Sequence, residues 1–263
     1  MKKELKFIHI TKTAGTSIED IGKKNNIKWG RYHKEYGYWH IPFSKKEKKL
    51  QYKYNWFLVY RNPYERLISA FYCKWGGFGK YQNLINIIEK EQFNNFMYNR
   101  INMNLNMETI INDERFNLGS KRKSFKKHKY INIYKKMLKK KLTKKDIINC
   151  GINLFNFKRW GYYHYVPQHL YLSQYKDAKV HIIRFENLKK EFDNLMKEYN
   201  LDITLNQHRN KGKRKKFGIN DLSNDVVSLI NHVYHKDFEK FGYKKINNNN
   251  KINNNIKMPI NNR

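Results

Sequence analysis

The sequence predicts an α/β fold, a mainly parallel central sheet flanked by helices. Three short apolar segments each read as a strand, and each runs through a polar loop into a helical stretch. The third observation is bulk. In 263 residues, 40% hydrophobic and 16% aromatic content is enough apolar matter for one large core.

The first unit opens with Leu5 to Ile10, passes through Thr11-Lys12-Thr13-Ala14-Gly15-Thr16-Ser17, and continues as a helix from about Ser17 to Lys24. The second strand, Trp56 to Tyr60, ends at Arg61-Asn62-Pro63. Proline suits the first turn of the following helix, Tyr64 to Tyr72, and Asn62 suits its N-cap. The third strand, Val180 to Ile183, leads through Arg184-Phe185-Glu186-Asn187 into a helix ending near Tyr199. Between the second and third units, Leu84 to Tyr98 reads as helical. Lys121 to Lys145 is heavily basic with Ile131, Tyr134, Met137 and Leu138 at helical spacing, which suits either a solvated amphipathic helix or the wall of a substrate groove. A last helix is expected over Ser223 to Phe241. Residues 1–245 read as one domain with a basic, helical middle section at about 84–150, and the Asn-rich 246–263 as a disordered tail.

Fifty-five Lys and Arg against 22 Asp and Glu give a net charge of +33. That favours an anionic partner, although biased residue usage on a solvated surface gives the same number. Cys73 and Cys150 have no metal or redox spacing and read as reduced thiols. No apolar run reaches membrane-spanning length, and MKKELKFIHI is too short in apolar residues for a signal peptide, so a soluble, intracellular (cytoplasmic) chain is expected.

In parallel sheets, ligands collect beyond the carboxyl ends of the strands, where all three polar motifs fall. A strand that stops at Lys-Thr-X-Gly-Thr-Ser and turns into a helix suits a phosphate. Gly15 allows close backbone approach, the first helical N–H groups face the ligand, Thr16 and Ser17 add hydroxyls and Lys12 adds charge. It is not the nucleoside-triphosphate loop, because Lys12 precedes the glycine instead of ending the loop. At the second strand end, Arg61 offers a fork of donors for an anion, and Ser69, on the following helix, offers a hydroxyl.

His9 to Ser17 resembles the phosphosulfate-binding loop of carbohydrate sulfotransferases that use 3′-phosphoadenosine-5′-phosphosulfate (PAPS), with Thr11 where proline is common. The resemblance implies a P-loop-like sulfotransferase fold, with Lys12, Thr13, Ala14, Gly15, Thr16 and Ser17 gripping the 5′-phosphosulfate and Lys12 neutralising the transferring group. Val59 to Tyr72 resembles the same family's 3′-phosphate site, which assigns Arg61 and Ser69 to that phosphate; Arg66 is expected to pair with an acidic neighbour. Ile183 to Leu188 resembles the family's third strand end, with Glu186 and Asn187 structural. Asn210 to Lys216 stands where a late loop closes over the nucleotide, and Lys211 is the residue assigned to cofactor contact. By the same resemblance His40 is the catalytic base, Glu35 the runner-up and His33 third, while Gln168 and His169 fall on the acceptor side along with His164. No motif calls for a metal. The implied activity is sulfuryl transfer from PAPS to a hydroxyl, on an anionic or neutral glycan, with no nucleic acid as partner. A nucleotide kinase and a basic nucleic-acid-binding protein are the alternatives. The kinase requires a true Walker lysine, and nucleic-acid binding has no need of the Arg61 and Ser69 spacing.

Overall fold

The computed structural model describes residues 3–29, 40, 48–73, 77–80, 85–86, 88–102, 164–172, 178–205 and 215–247. Its centre is a three-stranded parallel sheet in the order β1 (Leu5–Ile8), β2 (Asn55–Tyr60), β3 (Val180–Arg184). Ile8 lies opposite Leu58, and Tyr60 opposite Arg184, so the loops after all three strands leave from the same end of the sheet.

Alternation along the strands divides the core. Phe7, Phe57, Val59 and Ile183 face one side, where they pack with Ile18 of helix α1 (Gly15–Lys24) and with Leu188, Phe192, Leu195 and Met196 of the helix Leu188–Glu198 that follows β3. Ile8, Trp56 and Leu58 face the other side and meet Val166 and Tyr171. Strand β2 is therefore covered on both faces, as a central parallel strand should be. The outer edge of β1 is also covered, since the Phe7 N–H donates to the Trp29 carbonyl at 2.9 Å and the buried Trp29 ring stands edge-on to Phe57 and Phe192. The short helix α2 (Lys48–Lys53) leads into β2.

A larger cluster holds the remaining helices together: α3 (Pro63–Phe71), α4 (Lys90–Asn102), α6 (Asn224–Val233) and α7 (His235–Phe241), with the helix after β3 counted as α5. Leu67 and Phe71, Phe93 and Met97, Val227 and Ile230, and Phe238 meet in it. Helix α3 starts as its sequence dictates. Pro63 is its first residue, and the Asn62 side chain accepts hydrogen bonds from the N–H groups of Tyr64 and Glu65.

The structure corrects three boundaries. Strand β1 ends at Ile8, not Ile10, because the Ile10 N–H turns back onto the Ile8 carbonyl at 3.1 Å. Of the helix expected over Leu84 to Tyr98, Ile85 and Asn86 are helical, Ile88 and Glu89 are not, and a helix runs over Lys90–Asn102. The single helix expected over Ser223 to Phe241 is two, divided at Tyr234, whose hydroxyl donates to the Tyr165 carbonyl at 2.6 Å. The basic run at 121–145, Cys150 and the tail beyond 247 lie outside the described residues. Among those described, no helix is long and apolar enough to cross a membrane.

Candidate functional site

Between β1 and α1 the chain enters the left-handed region twice without glycine, at Lys12 and at Ala14, both with φ 66°. Such residues carry strain of about 1–3 kcal/mol and persist where their surroundings fix them. Ala14 is the N-cap of α1 and makes no side-chain cap; its carbonyl accepts from the N–H groups of Ser17 at 2.9 Å and Ile18 at 3.2 Å. The N–H groups of Gly15 and Thr16 come before any carbonyl of the helix that could accept them. A left-handed residue followed by a right-handed one turns successive N–H groups into one concavity, the geometry that holds anions.

Side chains lock this loop from behind. Buried Thr13 donates its hydroxyl to the Ile10 carbonyl at 2.9 Å. Buried Arg66, expected to pair with an acid, donates to the Thr11 carbonyl at 3.0 Å and the Thr11 hydroxyl at 3.3 Å. A proline at position 11 would supply only the first of these acceptors. The His9 ring lies against the Gly15 Cα, where an added Cβ would meet it at 2.2 Å. Gly15 is thus demanded by His9, a reason additional to ligand approach. His9 in turn reaches Glu19 of α1 at 3.8 Å, both buried. Thr13 and Ser17 are buried, Lys12 and Ala14 half-buried, and Thr16 is exposed.

Arg61 leaves β2 with its backbone clamped by the Gln168 amide, which accepts from the Arg61 N–H at 2.9 Å and donates to the Arg61 carbonyl at 2.7 Å. Its guanidinium lies 4.3 Å over the Phe185 ring, from the end of β3, and 3.3 Å from Glu65. Half-buried Ser69 stands one turn beyond Glu65 on α3, with Tyr72 at the helix end, on the same face. Lys215 runs along that stripe, its ammonium 4.0 Å from Glu65 and 5.9 Å from the Tyr72 ring centre. Burial pushes the Lys215 ammonium below its usual range; Glu65 opposes this, and Arg61 and Lys12 add to it. Lys215 thus feels the positive charges of Arg61 and Lys12 from two other chain segments and shares the Glu65 carboxylate with Arg61, an arrangement that favours an additional anion.

The segment carrying Lys215 is fixed at its far end. The Tyr72 hydroxyl accepts from the Phe217 N–H at 2.6 Å and donates to its carbonyl at 3.3 Å. Phe217 stacks on Phe93 at 4.7 Å, and Lys216 donates to the carbonyls of Asn86 and Ile88. Lys211 lies outside the described residues; of the two described lysines of this late run, Lys216 turns to the Asn86 and Ile88 carbonyls and Lys215 to Glu65.

Behind the loop three imidazoles gather. His40 is buried, its Nδ1 3.2 Å from the His9 carbonyl and its ring edge-on to His9 at 4.7 Å, while its own carbonyl accepts from Tyr171 at 3.0 Å. The His164 ring centre is 6.4 Å from that of His40, and its Nε2 is 3.9 Å from the Cys73 sulfur. Burial first, then His40 and Lys12, hold the His164 pKa well below the ordinary imidazole value. Lys12 thus lies within electrostatic reach of both His164 and Lys215. Glu35 and His33 lie outside the described residues.

Gln168 and His169, expected on the acceptor side, are both held by Asp237. Gln168 is fully buried against Arg61, and the buried Asp237 takes the N–H groups of both residues and, at 2.7 Å, His169 Nδ1. Sequence reasoning did not single out His9, Phe185 or Lys215 as site residues. The first stood inside a recognised motif, and the last inside a recognised charge run. Among the described residues no group of three or more His, Cys, Asp or Glu is arranged to hold a metal ion.

A family model described as "Sulfotransferase family" matches residues 2–244. No curated protein and no solved structure matches the chain.

Proposed function

The chain belongs to the sulfotransferase family, enzymes that transfer a sulfuryl group, and on that premise we propose that its donor is PAPS and its acceptor a carbohydrate hydroxyl. The observation that carries the donor reading is that two cationic stations stand at neighbouring strand ends, Lys12 with the first N–H groups of α1 after β1, and Arg61 with Lys215 around Glu65 after β2. A donor with phosphate at both ends of its nucleoside matches two cationic stations at neighbouring strand ends. In this reading Lys12 and the N–H groups of Gly15 and Thr16 stabilise charge on the transferring group and on the oxygen it leaves. Thr13 and Ser17 support the loop, and Arg61 with Ser69 and Lys215 holds the 3′-phosphate.

His40 takes the proton of the acceptor hydroxyl as its oxygen forms the new bond to sulfur and the bond to the bridging oxygen breaks, releasing adenosine 3′,5′-bisphosphate. The His9 carbonyl orients the His40 ring. His164, kept neutral, adds no charge to its surroundings. The carbohydrate assignment rests on the motif style of the first two strand ends. The whole catalytic unit would be residues 1–245.

Labelled PAPS incubated with a panel of glycans tests this. Label should appear on a glycan, and Lys12→Ala should reduce turnover about 10²–10³-fold, as losing an oxyanion donor does. His40→Ala should reduce turnover about 10²–10⁴-fold, the usual contribution of a general base. Label transfer from ATP with magnesium, or full activity in the Lys12 variant, would overturn the reading.

A further inference from the structure

Glu65 is the acid that acts on both Arg61 and Lys215, at 3.3 and 4.0 Å, through the same oxygen. Glu186 also acts on Arg61, but it is tied to Arg184 at 3.4 Å and to the Tyr243 hydroxyl at 2.6 Å. Among the described residues Glu65 has no comparable tether. Its side chain is 40% exposed, on the third residue of α3, free to swing into solvent by side-chain rotation.

Orienting Arg61 does not require Glu65. The Gln168 amide fixes the Arg61 backbone from both sides, and the Phe185 face supports the guanidinium. What Glu65 adds is charge. It offsets the repulsion that Lys215 feels from Arg61 and Lys12, in a place where Lys215 is already penalised by burial. A phosphate bound by Arg61, Ser69 and Lys215 would compete with that carboxylate for the same donors, because Ser69 stands one turn further along the same helix face.

We propose that Glu65 is an internal anion that exchanges with the nucleotide's 3′-phosphate on Arg61 and Lys215, and so sets how fast the spent nucleotide leaves. This rests on the donor reading above. A tight cationic site without a substitute anion would hold its product, and product departure limits turnover in many enzymes. An internal carboxylate lets the two cations release the phosphate one contact at a time without being left uncompensated.

The test is the dissociation rate of adenosine 3′,5′-bisphosphate from wild type, Glu65→Gln, Glu65→Asp and Arg61→Ala, with equal far-UV spectra and melting as the folding control. Exposed pairs of this kind contribute little to stability, so the Glu65 variants should fold. Glu65→Gln should slow dissociation about two- to fivefold and tighten affinity equally, with the gap closing as salt rises. Glu65→Asp, which keeps the charge, should stay near wild type. In turnover, kcat and KM should fall together in Glu65→Gln. Faster or unchanged dissociation in Glu65→Gln, with Arg61→Ala still weakening binding, would overturn the exchange role and leave the donor reading standing. Wild type that does not bind the bisphosphate, or Arg61→Ala that binds it normally, would overturn both.

Discussion

An imidazole at position 164 is held where protonation is disfavoured from several sides. It is buried, with Cys73 against its Nε2, and His40, Lys12, Arg66 and His9 all act against its positive charge. The folded chain therefore resists a proton that the unfolded chain accepts near the ordinary histidine value of about 6.5. With the folded pKa depressed, its contribution is harmless above that pH. Stability is lost as pH falls below it, because the unfolded state then binds the additional proton. Wild type should melt at progressively lower temperature as the pH is lowered from about 6.5 towards the depressed value. His164→Leu should flatten that slope, and an unaltered slope would mean another group dominates acid lability. The His164 position shows what a linear reading misses. Lys12, Arg61 and Ser69 stand inside local motifs whose spacing alone suggests an anion site. His164 reaches His40 only through folding, across more than a hundred residues of sequence, and no local pattern marks that contact.

Helix α3 shows the opposite case, an element written almost entirely in local code. Asn62 as cap and Pro63 at the first position fix its start without tertiary help, and the structure has both as the sequence implies. Asn62→Ala should reduce stability by about 1 kcal/mol, within a range of about 0.5–2. Because the same turn carries Glu65 and leads from Arg61, it should also weaken binding of adenosine 3′,5′-bisphosphate more than a distant variant of equal stability, as calorimetry would register. Loss of stability with unchanged affinity would separate the cap from the site. The C-terminal helices were less legible. Their apolar pattern runs on from Ser223 to Phe241, but the chain breaks at Tyr234, whose buried hydroxyl reaches Tyr165. The break puts Asp237, fully buried, against the N–H groups of Gln168 and His169. Gln168 then clamps Arg61. An acid, a glutamine and an arginine from three distant segments act as one support, and periodicity carries no trace of such a contact.

At the scale of the molecule, three parallel strands deliver three loops to one end of a sheet, and the positive charge that the composition spreads everywhere becomes directed there. Net charge alone, at +33, does not choose between a glycan, a nucleic acid and a nucleotide. The proposed donor rests instead on the strand ends, with Arg61 and Lys215 at one station and Lys12 with the α1 N–H groups at the next. The parallel sheet and the common end of its loops follow from three repeated strand–loop–helix units, whereas the strand order β1-β2-β3 does not. The register, the packing of residues 164–172 under β2, and the seating of Lys215 depend on long-range contacts that no single segment encodes. The claim that a second phosphate is read at Arg61 is tested most directly by calorimetry, comparing adenosine 3′,5′-bisphosphate with adenosine 5′-phosphate at one salt concentration. Wild type should prefer the bisphosphate by about tenfold or more, the usual effect of hydrogen bonds to a charged group, and Arg61→Ala should abolish most of that preference. Equal affinity of wild type for the two nucleotides, or a preference that survives in Arg61→Ala, would contradict the account.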